Sequence, residues 1–176
     1  LVSPKQRGQY LKKSDCLLLG PGLGKGNKIV SILLNHPNRP TNTVIDADAL
    51  RYIRSNQINS GTILTPHPGE MRPIFEPNRH VGVLLRKGNR VVICQGKECR
   101  YNTSGIARLT KGGVGDVLAG LTAAIVCTNP PFIAACAASL LLSRTVLQLQ
   151  RMYGPWITTR RIPEQLPLTL NSLLHP

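Results

Sequence analysis

Gly112-Gly113-Val114-Gly115-Asp116-Val117-Leu118-Ala119-Gly120 is the stretch on which the reading of this chain turns. Glycines let backbone N–H groups approach an anion closely, and an apolar helix starting here adds its positive N-terminal end. Asp116 then falls in the first turn, beside a bound phosphate. There its carboxylate can take a proton from a substrate hydroxyl while the N–H groups stabilise charge on a transferring phosphoryl. Read alone, the same residues also fit a glycine turn with an aspartate cap.

Outward from this point, short apolar runs alternate with longer helical ones. That pattern predicts an α/β domain with a largely parallel sheet flanked by helices. Residues 16–19, 43–45 and 62–64 read as strands. Residues 90–94 read as a fourth, with 98–101 as a hairpin partner across Gln95-Gly96-Lys97. Residues 28–35 have helical spacing, with Ile29, Ile32 and Leu33 on one face, and His36-Pro37-Asn38-Arg39-Pro40 ends that helix. The most apolar stretch, 117–143, is divided by Asn129-Pro130-Pro131 into runs shorter than the roughly 20 residues a membrane span needs. It reads as two buried helices, the second over 132–150. The proline-rich tail from Tyr153 is expected to pack over the edge of a single domain.

In open α/β sheets, ligands bind beyond the carboxyl ends of the strands. Here those ends carry unusual chemistry. Gly20-Pro21-Gly22-Leu23-Gly24-Lys25-Gly26 resembles a phosphate loop without the Gly-Lys-Ser/Thr of a Walker sequence, and reads equally as a tight strand-to-helix turn. Asp46 and Asp48 lie two apart, so on an extended segment they would point the same way. They suit a magnesium-bridged phosphate or substrate hydroxyls, or else one helix cap and one solvated acid. Pro66-His67-Pro68-Gly69-Glu70 is a rigid turn that positions an imidazole at little entropic cost, or leaves a loop histidine in solvent.

Composition narrows the classes. The chain has 176 residues, a formal net charge of +14 and only eight acids, four of which (Asp46, Asp48, Glu70 and Asp116) fall in these motifs. The 22 Lys and Arg are scattered, without interleaved aromatics, so a basic surface for anionic nucleotides is expected and a nucleic-acid partner is not. Five cysteines leave one unpaired in any disulfide scheme. Cys94 and Cys99 lack a second pair at zinc-finger spacing, so free thiols in a reducing cytoplasm and no structural metal are expected.

The motifs, in this order, resemble the ribokinase-like superfamily and, within it, the ADP- or ATP-dependent NAD(P)H-hydrate dehydratases. The match rests on Leu19-Gly20-Pro21-Gly22-Leu23-Gly24, Val44-Ile45-Asp46-Ala47-Asp48-Ala49-Leu50 and Leu64-Thr65-Pro66-His67-Pro68-Gly69-Glu70. It continues through Asn102-Thr103-Ser104-Gly105 into the glycine-aspartate helix start, covering roughly residues 14–166. The resemblance implies an enzyme that returns hydrated NADH or NADPH to the reduced cofactor: ADP or ATP, with Mg2+, phosphorylates the hydrate's hydroxyl and phosphate is then eliminated. By position, Asp116 would be the base. Gly24, Asp48, His67 and Asp116 would contact the hydrate. Gly105, Gly112, Gly113 and Gly115 would cradle nucleotide phosphates, and the turn Gln95, Gly96, Lys97, Glu98 and Cys99 would add nucleotide contacts. The family's Lys-Gly in that turn reads Gln95-Gly96 here. Its segment before the first motif is absent and the first residue is Leu, so an N-terminally shortened domain is expected. The stretch between Glu70 and Arg90 looks one helix shorter than usual. The family likeness also implies a homo-oligomer. Two alternatives are a small-molecule kinase of the same superfamily and a catalytically impaired nucleotide-binding remnant.

Overall fold

The computed structural model of the chain describes residues 3–24, 28–103 and 112–175. Six strands form one sheet in sequence order. β1 (Cys16–Leu19), β2 (Asn42–Ile45), β3 (Thr62–Leu64) and β4 (Val83–Arg86) run parallel, and β5 (Val91–Gln95) and β6 (Glu98–Asn102) follow as an antiparallel pair. The parallel strands read as near-continuous apolar runs because helices or turns cover both faces. Five α-helices accompany them: α1 (Pro4–Lys13), α2 (Ile29–Leu34), α3 (Val114–Val126), α4 (Pro131–Tyr153) and α5 (Arg161–Leu174).

Alternation along each strand divides the core in two. Val44, Ile63, Val83, Leu85 and Ile93 face α3 and α4, meeting Leu118, Ala135 and Leu142. Their chain neighbours Ile45, Leu64 and Leu84 face the other way, against Val30 and Leu34 of α2 and against Leu50 and Phe75 of the 3-10 turns. Each fully buried Leu, Ile or Phe contributes about 1.5–3 kcal/mol of transfer free energy, so the two layers together anchor the strands whose ends form the site.

At the amino edge of the sheet, Arg39 ties the layers together. Its guanidinium donates to Thr43 Oγ1 (3.1 Å), Leu34 O (3.2 Å), Gln57 O (2.9 Å) and Thr62 Oγ1 (3.2 Å). Burial pulls its pKa below the ordinary arginine value, because a desolvated cation is less favourable.

Several expectations need correction. α2 turns Val30 and Leu34 inward and leaves Ile32 52% exposed, so its buried face is one step out of phase with Ile29, Ile32 and Leu33. The stretch between Glu70 and Arg90 holds a strand, β4, that the reading passed over. The tail after Tyr153 is helical: α5 packs on α4 and accommodates Pro167 in its interior. α4 extends past 132–150 and is, by length and composition, apolar enough to cross a bilayer. With 61% of its most apolar window buried here, it serves as a core helix. Cys94 and Cys99 stand directly opposite each other across the β5–β6 hairpin, 4.2 Å apart at Cα, and form a disulfide rather than free thiols.

Candidate functional site

The parallel strands all end at one edge, and the polar motifs gather there. After β1, Gly20 adopts φ +130° because the chain passes directly against β2; a Cβ at this position would lie 1.7 Å from Asp46 O. The same loop then brings the backbone N–H of Gly24 to Asp48, whose Oδ2 accepts it at 2.9 Å. Two residues expected to share a substrate thus hold each other in place.

Asp46 and Asp48 do not form a paired carboxylate site. Ala47 takes φ +46° between them, so the two side chains part. Asp48 turns towards the Gly20–Gly24 loop. Asp46 turns inward, with 1% of its surface exposed, and accepts from Thr65 Oγ1 (2.7 Å) and Lys87 Nζ (2.6 Å).

β3 leads into the His67 turn. His67 Nδ1 accepts the Gly69 N–H at 2.9 Å, which leaves the ring proton on Nε2, 3.4 Å from Glu70 Oε1. Glu70 Oε2 accepts the His67 N–H at 2.9 Å and closes the turn as a reciprocal cap. The imidazole remains 55% exposed, so its face is open to a ligand.

Lys87 was missed in the sequence because β4 was missed. It directly follows β4, and its N–H donates to Pro66 O at 2.8 Å. Its ammonium lies between Asp46 and the start of α3, with Nζ 3.5 Å from where a Cβ on Gly115 would stand and 4.0 Å from Glu70 Oε2. The signal was present: Val83-Leu84-Leu85 followed by Lys87-Gly88 repeats the strand-then-glycine pattern of the other motifs. The lysine sought at Gln95-Gly96 is therefore found one strand earlier.

The glycine-aspartate stretch does begin a helix. Gly113 caps α3 at φ +87°, a conformation that suits glycine, and the helix's first backbone bond runs from Val117 N to Gly113 O at 3.1 Å. The first N–H groups of a helix have no partner within it, and here they open towards the edge where Lys87 stands. Asp116 is exposed in the first turn. Thr159, another residue the sequence did not flag, pins the glycines by donating from Oγ1 to Gly112 O at 2.8 Å. Gly105, like Ser104, Lys111, Lys25 and Gly26, lies outside the described residues.

The turn Gln95, Gly96, Lys97, Glu98 and Cys99 is not brought to this edge. β5 runs antiparallel to β4, with Cys94 beside Leu84 and Val92 beside Arg86. The turn after β5 therefore emerges at the amino edge, while Asn102, opposite Val91, returns to the carboxyl edge. Grouping that turn with Gly112, Gly113 and Gly115 in one nucleotide site is corrected by strand direction.

A family model described as NAD(P)H-hydrate dehydratase matches residues 2–168. The bifunctional NAD(P)H-hydrate repair enzyme Nnr of Methanospirillum hungatei is 32% identical over 175 residues, covering 90% of this chain and 36% of its own. The chain spans about a third of the length of the curated relatives it matches. Among solved structures, a ribokinase-like superfamily protein from Enterococcus faecalis superposes with a TM-score of 0.79 at 21% identity, covering 98% of this chain and 68% of that one. The ADP/ATP-dependent NAD(P)H-hydrate dehydratase from Bacillus subtilis, co-crystallised with ATP/Mg2+ and soaked with CoA, gives 0.72 at 22% identity, covering 94% and 71%. The sheet is thus ribokinase-like, and with its glycine-aspartate helix start set among the ends of the parallel strands, this chain belongs to the NAD(P)H-hydrate dehydratase family.

Proposed function

We propose that the chain dehydrates hydrated NADH or NADPH to the reduced cofactor, using ADP or ATP. The observation that carries this reading is the convergence, at one sheet edge, of an exposed carboxylate (Asp116) and a glycine helix start with a lysine ammonium against it. In this reading the hydrate's hydroxyl oxygen attacks the terminal phosphorus of the nucleotide, the bond to the remaining nucleotide breaks so that AMP leaves from ADP or ADP from ATP, and the hydroxyl proton passes to Asp116. The N–H groups of Gly113, Val114 and Gly115, with Lys87, receive the charge on the transferring phosphoryl. Phosphate then leaves carrying the hydrate's oxygen and the ring loses a proton, so the hydrate gives up the elements of water while the nucleotide is split into AMP (or ADP) and phosphate.

The hydrate would lie between Gly24, Asp48 and His67, with Asp116 at its hydroxyl. The nucleotide phosphates would lie over Gly112, Gly113 and Gly115, and the family resemblance assigns Gly105 to them as well. Mg2+ keeps several waters and rides on nucleotide phosphates rather than in a protein cage. That fits a chain in which no group of three or more His, Cys, Asp or Glu gathers among the described residues. Asp48 and Asp116 would hold the ion's waters, and the ion would supply charge neutralisation. We carry a homo-oligomer and a cytoplasmic location as parts of the same proposal.

The test is turnover of hydrated NADH with ADP or ATP, followed by the return of reduced-cofactor absorbance and the release of free phosphate. A stable phosphorylated product instead of free phosphate would make the chain a kinase. Nucleotide binding without turnover would make it a binding remnant.

A further inference from the structure

We infer that Asp46 is a positioning residue: it holds the Lys87 ammonium at the start of α3, where the nucleotide's phosphates are received. This rests on the nucleotide reading above and adds a residue to it, because Asp46 is itself buried, with 1% of its surface exposed.

The geometry is specific. Asp46 is 1% exposed and its Oδ1 is shared by two donors, Lys87 Nζ at 2.6 Å and Thr65 Oγ1 at 2.7 Å. Thr65 is itself 1% exposed, and its hydroxyl also lies 3.3 Å from Ile45 O, so the carboxylate is oriented from β3. The Asp46 backbone is fixed as well, with its N–H on Leu19 O at 2.9 Å and its carbonyl packed against Gly20. Lysine is a point charge on a flexible four-carbon stem. Left alone it would sample many rotamers; here Asp46 Oδ1 at 2.6 Å is its near partner, with Glu70 Oε2 farther off at 4.0 Å.

Stability does not account for the arrangement. A buried ion pair recovers little more than the cost of desolvating its two charges, so its presence is weak evidence for a role in folding. The Lys87 side chain also keeps 20% of its surface exposed, against 2% for that of Asp46. The pair is closed at Asp46 and partly open at Lys87.

The proposal makes a prediction opposite in sign to simple electrostatics. Replacing Asp46 with Asn deletes a negative charge near a phosphate site, which by charge alone would strengthen ADP binding. Positioning predicts that Asp46→Asn weakens it about tenfold, the factor carried by roughly 1.4 kcal/mol of lost interaction. Asn keeps the acceptor for Thr65, so the fold should be retained, as thermal unfolding would show. Lys87→Ala should weaken ADP binding at least as much. The double variant should bind within about twofold of Lys87→Ala, because residues acting through one another do not add. Should Asp46→Asn fail to fold, Thr65→Val serves in its place, with a loss of a few-fold that likewise vanishes on the Lys87→Ala background.

The measurement is calorimetric titration of each variant with ADP. Unchanged or tighter ADP binding by a folded Asp46→Asn, losses that multiply with Lys87→Ala, or no ADP binding by the wild type would each overturn the inference. If the wild type binds ADP and the cycle closes as expected, yet no hydrate is turned over, the positioning role stands and the dehydratase reading falls.

Discussion

Arg39 and Lys87 are both partly buried cations among strand ends, at opposite edges of the same sheet. Arg39 spends its donors on two carbonyls and two threonine hydroxyls, with no acid among those four partners. It joins β2, β3, α2 and the 3-10 turn at Gln57 like a rivet. Lys87 is held by Asp46, with Glu70 Oε2 at 4.0 Å, and also stands against the α3 start. The difference follows from chemistry and strand direction together. A planar fork of five donors saturates a fixed set of acceptors, whereas a compact ammonium can be anchored by one oxygen and still meet a phosphate. The α3 N-terminus lies at the carboxyl edge, beside Lys87.

Experiments can try to break this contrast. The largest effect should come from Asp116→Ala, which should lower kcat for hydrate turnover about 10²- to 10⁴-fold, the range for loss of a general base. An unchanged rate would remove Asp116 from the mechanism. At the other edge, Arg39→Met should leave several buried oxygens without a donor and lower unfolding stability by about 3 kcal/mol. The kcat of the folded fraction should stay that of the wild type, as denaturant titration beside activity would reveal. Gly113→Ala belongs to both categories. Its positive φ and contact with Thr159 predict a loss of about 1–2 kcal/mol in stability, together with weaker ADP binding. A variant with full affinity would show that the glycine turn need not keep its shape. The smallest effects are expected at the β5–β6 turn. Gln95→Ala and Lys97→Ala should each change stability by no more than about 0.5 kcal/mol and turnover by less than twofold. A large loss of ADP affinity in either would return that turn to the site.

The strand-end logic was legible in the sequence because each motif joins an apolar run to glycine, proline or an acid, and β1, β2, β3 and the β5–β6 hairpin lie where those runs predicted. β4 was legible only as an apolar run followed by Lys87-Gly88: the four residues between Gly82 and Lys87 carry too little periodicity to separate a strand from a loop by themselves, and the lysine at its end went unread with it. The Asp46–Asp48 spacing misled because a period of two holds only on extended backbone, and Ala47 departs from it. Pro163 and Pro167 gave the tail its proline-rich look without marking it as a helix. Yet proline in the first turn of a helix is tolerated, and packing on α4 sustains α5 beyond the second. No local pattern announces that Thr159 reaches Gly112, 47 residues away.

That last bond bears on how the molecule is made. Thr159 lies in the segment between α4 and α5, near the end of the chain, and it is the residue that clasps Gly112. During synthesis every strand and the α3 start leave the ribosome before their clasp exists. The Gly112–Gly113 turn therefore gains this bond only after the six strands described have been made. A nascent or C-terminally clipped chain would carry all of its motif residues while still lacking the finished cradle.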